Sequence, residues 1–213
     1  MGDMARVSRF LSIGAIAGAI LYCITEIVLH VLRPEYNPAE RFLSEYAVGR
    51  FGILGTLAFW ILAGITAALA AALALEVRRS WLLVATCFLL SIASLGFWSL
   101  AIFPTDLMGP NGSPPPIRTL TGIVHDTSTS VLSSALAIAA LTLPWAYKLD
   151  PRWRAAALTI LIVGMFIPFL LCIASVLPCP WRGAGQRFAV ASGLIWITVN
   201  ARLLLRSPQL RPD

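Results

Sequence analysis

Six apolar runs of about 20 residues or more constrain this chain more than any other feature. They cover roughly residues 10–32, 51–75, 81–103, 120–145, 155–177 and 188–205. Each is long enough to cross a bilayer as a helix, which needs about 20 predominantly apolar residues. None alternates with period two, and all exceed the roughly 9–11 residues of a barrel strand. The expected fold is all-α: one polytopic membrane bundle of about six transmembrane helices, a single domain spanning residues 1–213.

Composition rules out a water-soluble alternative. The chain is 58% hydrophobic and 12% charged, with a mean hydropathy of +0.82. A soluble domain carries about 25% charged residues. At half that value, a soluble fold would expose large apolar patches and aggregate. The net charge of +6 and pI near 9.7 do not indicate nucleic acid. The basic residues lie scattered in short segments between apolar runs, the distribution that topology and anionic head groups produce.

The first run follows Arg6 and Arg9, as a signal peptide would. It continues for about 20 residues with no small-x-small cleavage site, so it reads as an uncleaved first helix. The four cysteines form no CxxC pair. Cys23, Cys87 and Cys172 lie inside apolar runs, and Cys179 is the one expected to meet an outer compartment.

Orientation follows from Lys and Arg in the connecting segments. Arg6, Arg9, Arg78, Arg79, Lys148, Arg152, Arg154, Arg202, Arg206 and Arg211 fall on one side, ten residues in all. Arg33, Arg41, Arg50, Arg118, Arg182 and Arg187 make six on the other. Both termini are expected to be cytoplasmic and the chain multi-pass in the cell membrane. The first, third and fifth connections are then outer loops, longer than the others and rich in Pro, Gly and charge. Residues 111–116 read as an extended outer segment because proline resists helix. Gly49-Arg50-Phe51 and Gln186-Arg187-Phe188 echo each other at two helix entries, read as arginine anchoring in preference to a repeat.

Ionisable groups near a membrane interior usually pair or line a cavity, and here they gather toward the outer side. Glu26 and His30 are four residues apart and share a helix face, as a carboxylate–imidazole pair would. Residues 41–46 allow a short interfacial helix with Leu43 and Tyr46 toward lipid and Ser44 and Glu45 at the bundle mouth. Phe103-Pro104-Thr105-Asp106 ends the third helix and holds a carboxylate at the membrane edge. On the fourth helix His125, Ser128 and Thr129 share a face. A titratable histidine inside a membrane helix is a functional expectation by default. The glycines of residues 183–185 with Arg187 suit an anion, a phosphate or a carboxylate such as Asp106, at the free N–H groups of a helix start.

At these residues the chain resembles domain-of-unknown-function family 998, a family of prokaryotic membrane proteins. The resemblance spans nearly the whole sequence. It rests on Leu43-Ser44-Glu45-Tyr46-Ala47-Val48-Gly49, Phe103-Pro104-Thr105-Asp106, Val124-His125-Asp126 and Gly183-Ala184-Gly185-Gln186-Arg187 in that order. It implies six helices and a polar site at one membrane face. It implies no activity. Gln186 stands where family members often carry an acidic residue.

The leading functional expectation is a membrane-embedded enzyme acting on a lipid or isoprenoid-like substrate from the outer leaflet. Glu45, Asp106 and His125 are its expected catalytic acid–base groups. Ser44, Arg118, Ser128 and Arg187 are its expected substrate-binding groups, the arginines for an anionic head group. No metal site is expected; one would have to be built from His30, His125 and Asp106. The sequence leaves any cofactor unknown. Membrane lipids are the expected partners, and nucleic acid is not one. The alternative is a non-enzymatic accessory or assembly subunit, meeting another membrane protein or a second copy of itself. A small transporter is the third reading, disfavoured because no broken helix carries charge at mid-membrane.

Overall fold

The computed structural model describes residues 2–206. Arg211, counted toward the cytoplasmic side, lies outside them. Six helices follow one another: α1 Gly2–Leu32, α2 Gly52–Glu76, α3 Trp81–Ile102, α4 Leu120–Lys148, α5 Ala157–Val176 and α6 Arg182–Leu205. Short 3-10 turns occupy Leu43–Ala47, Pro110–Gly112, Arg154–Ala156 and Cys179–Trp181. There is no strand among the described residues. All six helices are long and apolar enough to cross a membrane. Even α5, with 20 residues, reaches about 30 Å, the thickness of the hydrocarbon core.

Helix ends depart from the hydropathy boundaries where helix continues past the apolar run. α1 begins at Gly2 because its polar first turns, with Asp3 and Arg6 paired, extend the helix beyond the greasy stretch. α6 begins at Arg182, six residues before the expected start, so the glycine-rich entry is itself helical. The echo between residues 49–51 and 186–188 is therefore one of sequence alone. Gly49 and Phe51 adopt positive φ of 78° and 62° in a turn, whereas Gln186-Arg187-Phe188 lies within α6.

The helices pack as a closed ring in chain order, α1 against both α2 and α6, with α2 also touching α6. In lipid, apolar side chains gain little by leaving one greasy environment for another. Close packing and interhelical hydrogen bonds therefore hold the bundle. Gly164 brings α5 against the Ala140 carbonyl of α4 and Trp196 of α6; a Cβ there would lie 2.8 Å from that carbonyl oxygen. Thr86 and Thr142 join α3 to α4 at 2.9 Å, Ser99 and Ser128 join them again at 2.8 Å, and Ser94 donates to the Ala63 carbonyl of α2 at 2.9 Å. Phe10, Phe88, Phe166 and Val176 are exposed on the outside of the ring, where lipid would cover them.

The two ends of the bundle differ. At the short-loop face, Asp150 accepts from the Arg78 backbone N–H at 2.8 Å and from Arg152 at 2.8 Å, while Arg152 also donates to the Glu76 carbonyl at 2.6 Å. At the long-loop face the first, third and fifth connections interlock. The Ala184 N–H donates to the Ala39 carbonyl at 3.0 Å, and the Met108 N–H donates to Glu45 at 3.1 Å. Gly112, at a φ of 68°, packs against the Cys179 and Glu40 carbonyls. Residues 110–112 form a turn rather than continuing the extended path expected of 111–116. Leu43 and Tyr46, expected to face lipid, are buried instead. The loops fold over them, and Tyr46 stacks on His30 at 4.9 Å.

Candidate functional site

A cavity of about 590 Å³ opens at the long-loop face and runs down inside the ring. From Arg182 to Ile197, both lining it, α6 rises about 22 Å, so the cavity reaches the middle of the bundle. Its inner part is apolar, walled by residues such as Phe59, Leu62, Phe97, Leu136, Ile167 and Ile197. Its mouth is polar, with Ser44, Asp106, Arg118, His125, Arg182 and Gln186 among the lining residues. Pockets for small molecules usually measure about 300–1,000 Å³ and combine an apolar lining with few polar groups. This one has that character.

His125 is held by the chain end that the proline of residues 103–106 creates. Its Nδ1 lies 2.8 Å from the Phe103 carbonyl oxygen. A carbonyl only accepts, so Nδ1 carries the proton and the neutral ring keeps its lone pair on Nε2. Phe59 meets the ring edge-on at 5.9 Å. His125 is 3% exposed, lines the cavity, and its Nε2 has no hydrogen-bond partner among the described residues.

Asp106 also lines the mouth. Thr119 donates to it twice, from its hydroxyl at 2.6 Å and from its backbone N–H at 2.9 Å, at the start of α4. Arg118 stands 4.0 Å away and pairs with Asp126 at 2.8 Å. The Thr119 hydroxyl and N–H, with Arg118, hold the Asp106 carboxyl below the ordinary aspartate range. Gly122 makes room for it, since a Cβ there would overlap the carboxylate.

Glu45 lies beside the cavity without lining it. It is fully buried and its oxygens are occupied by the Phe42 N–H at 2.8 Å, Arg41 at 2.8 Å and the Met108 N–H at 3.1 Å. Arg41 also donates to the Met108 carbonyl. This carboxylate joins the first connection to the third. Ser128 is likewise turned from the cavity, onto Ser99.

Arg187 is not in the cavity either. It donates to the Pro38 and Arg41 carbonyls at 2.7 Å each and to the Gly183 carbonyl at 3.0 Å. It also donates to His30 Nε2 at 3.0 Å, and His30 Nδ1 in turn donates to the Glu26 backbone carbonyl at 2.6 Å. The expected pairing of the Glu26 carboxylate with the His30 ring is thus replaced by a backbone contact. Arg187 and Asp106 do not meet; each is held by other groups. The start of α6 is not free for an anion, because the Pro38, Ala39 and Arg41 carbonyls of the first loop crowd Gly183. Both nitrogens of His30 are engaged, so it does not join His125 and Asp106 in a shared ligand set. No group of three or more His, Cys, Asp or Glu side chains suited to a metal occurs among the described residues.

Two residues that hydropathy and spacing did not single out stand at the mouth. Arg182 makes one long hydrogen bond, from Nε to the Leu177 carbonyl at 3.4 Å, and its terminal nitrogens have no partner among the described residues. Gln186, one turn further along α6, accepts the Leu43 N–H on Oε1 at 2.6 Å. The signal available in the sequence was their spacing of four, which puts them on one face. Arg187, adjacent to Gln186, points elsewhere.

Fold and site together define the class: an all-helical integral membrane bundle with an amphipathic cavity opening at one face. The chain belongs to the family described as Protein of unknown function (DUF998), whose model matches residues 16–203. No curated protein and no solved structure matches the chain significantly.

Proposed function

We propose that this protein binds a lipid or isoprenoid-like amphiphile in its cavity and acts on the polar end, with His125 as the acid–base group. The observation that carries the reading is the cavity itself. It has an apolar interior for a chain and a polar mouth that includes a histidine with one nitrogen unpartnered among the described residues. A base of this kind contributes about 10²–10⁴-fold when positioned on a reacting group. Asp106 is held ionised beside it and supports a positive charge developing at the mouth. Glu45 and Arg187 act by fixing the loops that form the rim. In the orientation favoured by the Lys and Arg count, the mouth faces the outer leaflet of the cell membrane.

The test is direct. Detergent-purified protein is incubated with membrane lipid extract, and both bound and converted lipids are followed by mass spectrometry. Lipid bound by the wild type, with conversion lost and binding kept in His125→Asn, supports the reading. Wild-type protein that neither binds nor converts any amphiphile contradicts it.

A further inference from the structure

We propose that the cavity mouth selects a phosphate-bearing head group, through Arg182, Gln186 and Ser44. The inference rests on the amphiphile reading above and names the substrate class. Three groups with unused donors among the described residues line the same rim. The first is the Arg182 guanidinium, whose single hydrogen bond among the described residues is the 3.4 Å one to the Leu177 carbonyl.

The second is the Gln186 amide. Its oxygen is committed to the Leu43 N–H at 2.6 Å, which fixes the orientation of the group. The NH₂ is left as the unpartnered end, and Gln186 lines the cavity. The third is the Ser44 hydroxyl, 5% exposed at the residue level, on the cavity wall and without a hydrogen bond among the described residues. Ser44 follows Leu43 directly, and Arg182 precedes Gln186 by one helical turn. The Leu43–Gln186 contact therefore brings all three to one part of the rim.

The carboxylates at the mouth do not compete for these donors. Asp106 is taken by Thr119, and Asp126 by Arg118. A cationic head group would find the Asp106 oxygens already held by Thr119 and Asp126 already paired with Arg118. A phosphate would meet a guanidinium with free terminal nitrogens, the fork geometry that recognises its oxygens. The apolar interior below distinguishes a phosphorylated amphiphile from free phosphate.

Binding of dodecyl phosphate, 1-dodecanol and inorganic phosphate to the full chain in detergent micelles separates these possibilities. Dodecyl phosphate is expected to bind about tenfold or more tightly than dodecanol, the worth of one charge-assisted hydrogen bond. Arg182→Gln and Gln186→Glu should each abolish that preference and leave dodecanol binding unchanged. Gln186→Glu still offers an oxygen to Leu43 but replaces the donor with an acceptor, so the fold is kept. Equal affinity of the wild type for both amphiphiles overturns the phosphate inference alone. So does a preference that survives in both variants. Binding of neither amphiphile overturns the cavity reading with it. Inorganic phosphate binding as tightly as dodecyl phosphate would assign the site to free phosphate and contradict the proposal.

Discussion

The Glu45 carboxylate accepts the Met108 backbone N–H at 3.1 Å, and this contact ties the first connection to the third across the cavity rim. Glu45 also holds Arg41 and the Phe42 N–H. Truncation to alanine leaves two backbone donors without their acceptor and Arg41 without its counter-ion. Removing one member of a buried pair costs about 3–5 kcal/mol. Glu45→Ala should lower the melting temperature markedly, and Glu45→Gln should lower it less. A melting temperature unchanged in both variants would contradict this role.

His125 is expected to divide binding from chemistry. Asn in its place can still donate to the Phe103 carbonyl but offers no base. Turnover of a bound amphiphile should fall about 10²–10⁴-fold while its affinity stays within a factor of about two. Equal losses of binding and turnover would make His125 a packing residue.

The short-loop face sets an acid limit on stability. Burial alone would raise the Asp150 carboxyl, but Arg152 and the backbone N–H groups of Arg78 and Arg152 outweigh it and hold the group below its ordinary value. An unfolded aspartate titrates near about 3.9. The stabilisation is therefore fully present above that pH and is lost as pH falls through the lower folded-state value. Melting temperatures should be flat from neutral pH down to about 5 and drop below about 4. Asp150→Asn should weaken that drop and cost about 1.5–3 kcal/mol at neutral pH. An acid profile identical to wild type would exclude Asp150 as a contributor.

Gly183 tests the contact between α6 and the first loop. A Cβ there would lie 2.8 Å from the Pro38 carbonyl oxygen and 2.9 Å from that of Ala39, and would press on Arg41 as well. Backbone cannot give way as a side-chain tip does. Gly183→Ala should destabilise by about 1–3 kcal/mol and loosen the Arg187 contacts. It should raise proteolysis within residues 33–42. Wild-type stability would show the loop to be compliant.

The six helices were legible because apolar runs of spanning length admit few alternatives. Their ends were less so, since hydropathy reports the greasy stretch and helix continues past it at Gly2 and Arg182. Asp106 and His125 line the cavity. Glu45 and Arg187 do not, because a polar residue at a membrane edge can bind loop backbone as readily as line a pocket. Arg182 and Arg187 lie in one short segment, and their five-residue spacing turns them to different faces. Only the path of the first loop, folded onto Gly183, decides which arginine is consumed. Leu43 and Tyr46 were misplaced for the same reason: an apolar interfacial residue suits lipid or an overlying loop equally well.

The amphiphile-binding claim is tested most directly by native mass spectrometry of the detergent-purified chain, compared with Ala189→Phe. Ala189 is buried on α6 and lines the cavity, so phenylalanine there occupies the space a chain would take. The wild type should retain a stoichiometric lipid adduct, His125→Asn should retain it too, and Ala189→Phe should lose it. A wild type that carries and binds no lipid, or an Ala189→Phe variant that keeps the same adduct, would contradict the account.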